Sequence, residues 1–281
     1  MKQYLTGFFM AWGNFCALPC PCKRWDNRVS ALMLGFLPSI GAIIGAIWAA
    51  LYFGAVYFGI PYLPVAFLVT FLPFVLCGFM HMDGFMDCSD AILSRRPLAD
   101  RQRILKDSHT GAFAVISICF YILAYFAFAS TAITIGIDFA NMILLTCLSR
   151  SVSGLHVLLC KPMQTSQYAR MTQIEDTQDA VESDTAAEAP DTARSASKEV
   201  RPVSKKQGMI LLLVQLVIYL ALAFWCSSYP LVTALMCLFS GCASCLFIFY
   251  ARKQLGGMNG DIAGYGILWG ELFGMLALAL F

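Results

Sequence analysis

Charge is scarce in this 281-residue chain: Asp, Glu, Lys and Arg together make up 13% of it, about half the share usual in soluble domains. That poverty excludes an ordinary soluble globular protein. The formal net charge is +2, and no basic stripe is interleaved with aromatic residues, so nothing points to nucleic acid as a partner. Three chemical signatures are also missing: a Gly-x-x-x-x-Gly-Lys phosphate loop, a His-Glu-x-x-His metal helix and a Gly-x-Ser-x-Gly elbow. Their absence argues against P-loop nucleotidases, zinc proteases of that type and α/β-hydrolases. Cysteine is not lacking, with 12 residues, but it carries no disulfide pattern. Cys119, Cys147, Cys160, Cys237, Cys242 and Cys245 lie in apolar runs, where the thiol behaves as a small hydrophobe. Cys16, Cys20 and Cys22 cluster around prolines without the fourth ligand and the spacing a zinc site needs. The first 18 residues do not resemble a cleavable signal peptide, because Pro19–Pro21 stands where small residues would be cut.

What is abundant is apolar sequence, at 59% of the chain. Runs of about 20 residues recur, the mark of an all-α, polytopic membrane bundle. Seven spans are expected, from about Val29 to Phe58, Val65 to Met82, Ala112 to Ile135, Phe139 to Cys160, Gly208 to Cys226, Leu231 to Tyr250 and Ile262 to Phe281. The first is long for one helix, so a tilt or a break is expected there. It carries Gly35, Gly41 and Gly45, small residues that let helices approach closely in lipid. Residues 1–18 are apolar but interrupted, and are expected at or in the interface. Thr172 to Val200 is rich in Asp, Glu, Ala, Thr and Ser with no aromatic residue, so it is expected to be a disordered acidic loop within one membrane-embedded domain, 1–281. The turns near Gly59, Gly136 and Ser227 hold no Lys or Arg, while all other loops do. That asymmetry places the polar loops on the cytoplasmic side of the inner membrane.

The densest chemistry is His81-Met82-Asp83-Gly84-Phe85-Met86-Asp87-Cys88-Ser89-Asp90, at the end of the second apolar run. Asp83, Asp87 and Asp90 are spaced i, i+4, i+7, which at about 100° per residue puts them within about 60° of one another on a helix. A solvated helix end explains one or two acids, but three like charges on one stripe repel. A divalent cation removes that cost, and carboxylates suit Mg²⁺.

A second segment, Arg103 to Gly111, holds Lys106, Asp107, Ser108 and His109 before the third span. Asp107 could return to the same metal. Arg103, Lys106 and Ser108 suit a phosphate at a helix N-terminus, although an ordinary N-cap needs only Asp or Ser. A third segment, Gly256-Gly257-Met258-Asn259-Gly260-Asp261, leads into the last span. Its glycines admit a ligand close to the backbone, and Asp261 adds a carboxylate; by itself such a turn is common. Arg150 and Glu271 are charges inside expected spans, so they are candidates for function or for an ion pair with each other.

Together these segments resemble the cobalamin synthase family, the adenosylcobinamide-GDP ribazoletransferases. The family's His-x-Asp-Gly-x-x-Asp-x-x-Asp-Gly run is matched by His81, Asp83, Gly84, Asp87 and Asp90, with Ala91 in place of the last Gly. Asp-Ser-x-x-Gly is matched by Asp107, Ser108 and Gly111, and a Ser-Arg pair by Ser149 and Arg150. The C-terminal Gly-Gly-x-x-Gly-Asp-x-x-Gly with its later Glu is matched by Gly256, Gly257, Gly260, Asp261, Gly264 and Glu271. Leu18-Pro19-x-Pro21 and Pro38-x-x-Gly41 complete the order.

The resemblance implies a Mg²⁺-dependent transfer from adenosylcobinamide-GDP to α-ribazole or its 5′-phosphate, with release of GMP. On that reading Asp83 and Asp87 hold the metal, and Asp90 and Asp107 complete the site or take the hydroxyl proton. His81 is a second candidate base. Arg103, Lys106, Ser108 and Arg150 contact substrate, as do Gly256, Gly257, Asn259 and Asp261. The bilayer is an implied partner, and homo-oligomers stay open. Two other readings compete. A CDP-alcohol phosphotransferase would need Asp-Gly-x-x-Ala-Arg, which is not met here. A transporter would place its acids near the bilayer midplane and often show internal repeats.

Overall fold

A computed structural model describes residues 2–164, 166, 168–169 and 202–281. The acidic stretch from Thr172 to Val200 lies outside the described residues. Among them the chain is helical: α1 (Lys2–Phe15), a 3-10 turn (Asn27–Val29), α2 (Ser30–Gly35), α3 (Leu37–Tyr57), α4 (Tyr62–Leu76), α5 (Met80–Leu93), α6 (Leu98–Ile104), α7 (Ala112–Ile135), α8 (Phe139–Leu159), α9 (Lys205–Cys226), α10 (Pro230–Leu255) and α11 (Gly260–Leu280). The only extended pairing among the described residues is an isolated bridge between Pro162 and Met258.

Six helices are long and apolar enough to cross a membrane: α3 and α7 through α11. A seventh crossing is available from α4 and α5 taken together, although they bend by 87°. The protein is therefore an integral membrane helical bundle. The long first run is indeed broken, because α2 ends at Gly35 and α3 starts after Phe36. Pro38 in the first turn of α3 needs no amide hydrogen there.

α8 and α11 form the centre and are mostly buried, whereas α9 is mostly exposed. The outward residues of α9, such as Val217, Leu222 and Trp225, face lipid instead. α3 reaches α8 through glycine: a Cβ at Gly41 would lie 2.5 Å from the Thr146 carbonyl oxygen. The Thr146 hydroxyl donates to the Gly41 carbonyl at 2.8 Å, a contact that only this close approach permits.

The bend between α4 and α5 positions the site. Gly78 (φ 62°) adopts the left-handed conformation. Its N–H donates to Val75 and the Phe79 N–H to Phe74, the paired bonds of a Schellman termination. Phe79 is also left-handed (φ 61°), a costly state for a residue with a side chain. Its carbonyl then accepts from Asp83 N–H and starts α5 in the new direction. Phe85 anchors α5 by stacking on Tyr265 of α11, with centroids 5.3 Å apart, and by meeting Tyr121 of α7.

Candidate active site

α5 carries the acids as the spacing predicts. Met82, Gly84, Phe85, Cys88 and Ser89 are buried, while Asp83 is exposed and Asp87 and Asp90 are half-buried. One face therefore packs and the other opens. Ala91 lies in regular helix and is fully buried, so its position makes no demand for the freedom of glycine.

α11 crosses α5 at two glycines. A Cβ at Gly84 would sit 2.8 Å from Asp261 Cα, and one at Gly264 would sit 3.2 Å from His81 Cα. This crossing brings a fourth carboxylate to the face: Asp87 lies within electrostatic reach of Asp83, Asp261 and Asp90. Asn259 holds Asp261 in place. Its amide donates to Asp261 Oδ2 at 2.6 Å, and its own oxygen accepts the Ile262 N–H at 2.9 Å, capping α11. Gly84→Ala must push backbone from backbone. It is expected to cost about 1–3 kcal/mol of stability and to reduce activity more than that loss accounts for. Thermal unfolding in detergent beside a turnover assay checks both; unchanged activity would show that the α5–α11 distance is unimportant.

Asp90 faces Gly111, the N-cap of α7: any side chain at 111 would collide with the Asp90 carboxylate. The second segment thus meets the first through Asp90 and Gly111. Asp107 is placed differently. It is exposed and accepts from the His109 backbone at 3.0 Å, with the His109 ring at 2.7 Å. These bonds hold its carboxyl below the usual range. Its neighbours are His109 and Arg103, so the structure does not bring it to the α5 carboxylates. Arg103 is exposed and pairs with Asp100 at 3.6 Å. Lys106 and Ser108 are exposed on the same loop.

Arg150 sits in the bundle core. Its Nη1 donates to Glu271 Oε1 at 2.6 Å and to the Thr146 carbonyl at 3.0 Å, and its Nη2 meets Cys77 Sγ at 2.9 Å. Both side chains of the pair are at most 2% exposed, so of the two readings of Arg150 the structure displays the ion pair. His81 is buried beside this pair, lining the same small cleft, and its Nε2 has no partner among the described residues. Gly256 (φ 83°) and Gly257 (φ 158°) need glycine's conformational range, and a Cβ at Gly257 would press on the Met163 backbone.

Among the described residues no three His, Cys, Asp or Glu side chains are gathered as ready metal ligands. Hard oxygen donors nonetheless line the α5–α11 face. Mg²⁺ is usually held by one or two carboxylates with waters and substrate phosphates completing its shell, so one or two of Asp83, Asp87 and Asp261 could serve that ion without forming a closed cage.

A family model described as cobalamin-5-phosphate synthase matches residues 7–279. The chain belongs to the cobalamin-5-phosphate synthase family. It is therefore an enzyme of cobalamin synthesis, a transferase, as the motifs imply. A relative from Clostridium perfringens strain 13, named adenosylcobinamide-GDP ribazoletransferase, is 30% identical over 280 residues, covering 100% of both chains. Relatives of the same name from Clostridium botulinum strain Alaska E43 and Lachnoclostridium phytofermentans are 27% identical (100% of each chain) and 28% identical (99% of this chain, 95% of the relative). No solved structure matches.

Within this cobalamin-5-phosphate synthase fold, sequence reasoning missed Cys77, Lys161 and Arg252. Cys77 had no signal beyond an apolar run. Lys161 and Arg252 counted only as loop charges, although Arg252 lies beside the glycine turn that the C-terminal motif marks.

Proposed function

We propose that the protein joins adenosylcobinamide-GDP to α-ribazole, or to its 5′-phosphate, releasing GMP. The observation that carries this reading is the full-length similarity to ribazoletransferases, and the acids gathered on the open face of α5 support it. The new P–O bond forms from the ribose 3′-oxygen to the cobinamide-side phosphorus. The bond from that phosphorus to the oxygen bridging to GMP breaks. The hydroxyl proton passes to a carboxylate of the face; Asp90, half-buried at the α7 N-terminus, is the candidate. His81 is the weaker candidate because it lies beneath that face, beside Arg150. One or two of Asp83, Asp87 and Asp261 would hold Mg²⁺. When bound, it would neutralise charge on the diphosphate and on the departing phosphate.

The same reading places the carboxylate face on the cytoplasmic side of the inner membrane, where nucleotide substrates occur and where the Lys- and Arg-bearing loops are expected to lie. Purified protein in detergent, given both substrates, should release GMP and form a complete corrinoid in equal amounts. Chelation should abolish both, and added Mg²⁺ should restore them. Full turnover after exhaustive chelation would remove the metal from the mechanism. Absence of product from folded protein would overturn the proposed substrates.

A further inference from the structure

A cleft opens at the Gly256–Gly257 turn, which leads into Asp261 at the start of α11. It encloses about 560 Å³, within the range of small-molecule sites. Its charged lining is Lys161, Arg252 and Lys253, and none of the described lining residues is acidic. Among the described residues none of the three forms an ion pair, and Arg252 Nε is buried without a hydrogen-bond partner. Favourable interaction with the C-terminal dipole of α10 accounts for Arg252 and Lys253. Lys161 stands just past the C-terminus of α8, so the two helix ends account for the three cations but not for the cleft they line.

The cleft is built by specific contacts. The Met258 N–H donates to the Lys161 carbonyl at 3.0 Å and the Met163 N–H to the Met258 carbonyl at 2.9 Å. These bonds tie the end of α8 to the glycine turn. Gln102 of α6 donates to the Leu255 carbonyl at 2.8 Å, and Arg101 bonds Gln254, which closes the far wall. Phe249, 62% exposed, is the aromatic residue of the cleft lining.

We infer that this cleft binds the nucleoside-diphosphate half of the donor substrate, with Lys161, Arg252 and Lys253 on its phosphates and Phe249 beneath its base. The inference rests on the proposed function and deepens it. The carboxylate face repels phosphate unless a cation intervenes, whereas the cleft attracts it directly. Only Met258, Asn259 and Gly260 separate Gly257 from Asp261. On this inference, a diphosphate seated in the cleft by its nucleotide end would have its far phosphorus nearer the glycine turn that leads to Asp261. Stacking of a base on an aromatic ring adds affinity without demanding one base.

The test is equilibrium binding of GDP to the full chain in detergent. The double variant Arg252→Gln with Lys253→Gln should weaken GDP at least about tenfold, the loss expected for two charge-assisted contacts. It should raise KM for adenosylcobinamide-GDP while sparing KM for α-ribazole. Lys161→Gln, at an exposed position, guards against misfolding of the double variant and should weaken GDP in the same direction. Asp87→Asn should lower kcat by roughly 10²- to 10³-fold yet still bind GDP.

Wild-type GDP affinity in folded cation variants would overturn the inference. So would variants that lose only their response to anionic lipid, measured in nanodiscs with and without phosphatidylglycerol, since the cleft would then belong to a lipid headgroup. If wild-type protein released no GMP from adenosylcobinamide-GDP but bound GDP through these cations, the proposed function would fail and the nucleotide cleft would stand.

Discussion

Asp87→Asn is expected to lower kcat by roughly 10²- to 10³-fold, the scale of removing a group that organises transition-state charge, while stability in chelator rises slightly. The two signs follow from one geometry. Asp87 is half-buried and sits within reach of the charges of Asp83, Asp90 and Asp261. Without a cation these carboxylates repel, so neutralising the one nearest the others relieves the cluster. On the proposed function, the same charge holds Mg²⁺ beside the diphosphate once substrate is present. Turnover at saturating and at limiting Mg²⁺, beside thermal unfolding in chelator, reads both effects. Wild-type kcat at limiting Mg²⁺ would take Asp87 out of the metal site. A lower melting temperature in chelator would show that its role in the apoprotein is structural.

Glu271→Leu is expected to destabilise the protein by about 3–5 kcal/mol, because it strands a buried guanidinium. The two terminal nitrogens of Arg150 already donate to Glu271, Thr146 and Cys77, while its buried Nε has no partner among the described residues. The double variant Arg150→Met with Glu271→Leu should recover most of that loss, since an apolar pair of similar size leaves no orphaned charge. A double-mutant cycle on unfolding in detergent measures the coupling; additive losses would show that the two residues do not act as a unit. The consequence reaches the site. Cys77 caps α4 just before the bend, so Arg150 clamps the point from which α5 departs. Activity of the repaired double variant then tells whether the pair only holds the bend or also contributes charge to the chemistry.

The membrane spans were legible because hydropathy is a local property. Each of the later runs, from Ala112 onward, appears as one helix within a few residues of its expected ends. The break in the first run was signalled by its excess length. The sharp bend after Leu76 was not, because it depends on left-handed backbone at Gly78 and Phe79, and Phe79 gives no hint of that conformation. The carboxylate stripe was legible for the same reason as the spans: a helix converts i, i+4, i+7 into one face without help from the rest of the chain.

Partnerships across the chain had a different legibility. Asp261 could be suspected but not placed. What brings it to Asp87 is the crossing of α5 and α11 at Gly84 and Gly264, two residues whose meaning is a distance between helices. Asp107 illustrates the converse, since motif order put it with the metal ligands, whereas a local turn with His109 occupies it. Arg150 could serve either substrate or structure by sequence, and only the packing of α8 against α11 displays the pair with Glu271. The basic cleft was invisible, because Lys161 and Arg252 lie 91 positions apart in the chain (252 − 161) and are gathered by the backbone bonds around Met258.

By itself, then, the sequence determined the solvent this protein lives in, its helical class, its family and the face of α5 that carries charge. Each of those follows from composition, from periodicity or from motif order, which the unfolded chain already possesses. The tertiary structure alone decided which charges meet. Contacts between distant segments arise from close packing at small residues and from turns whose cost the whole fold absorbs, and neither is written at any single position.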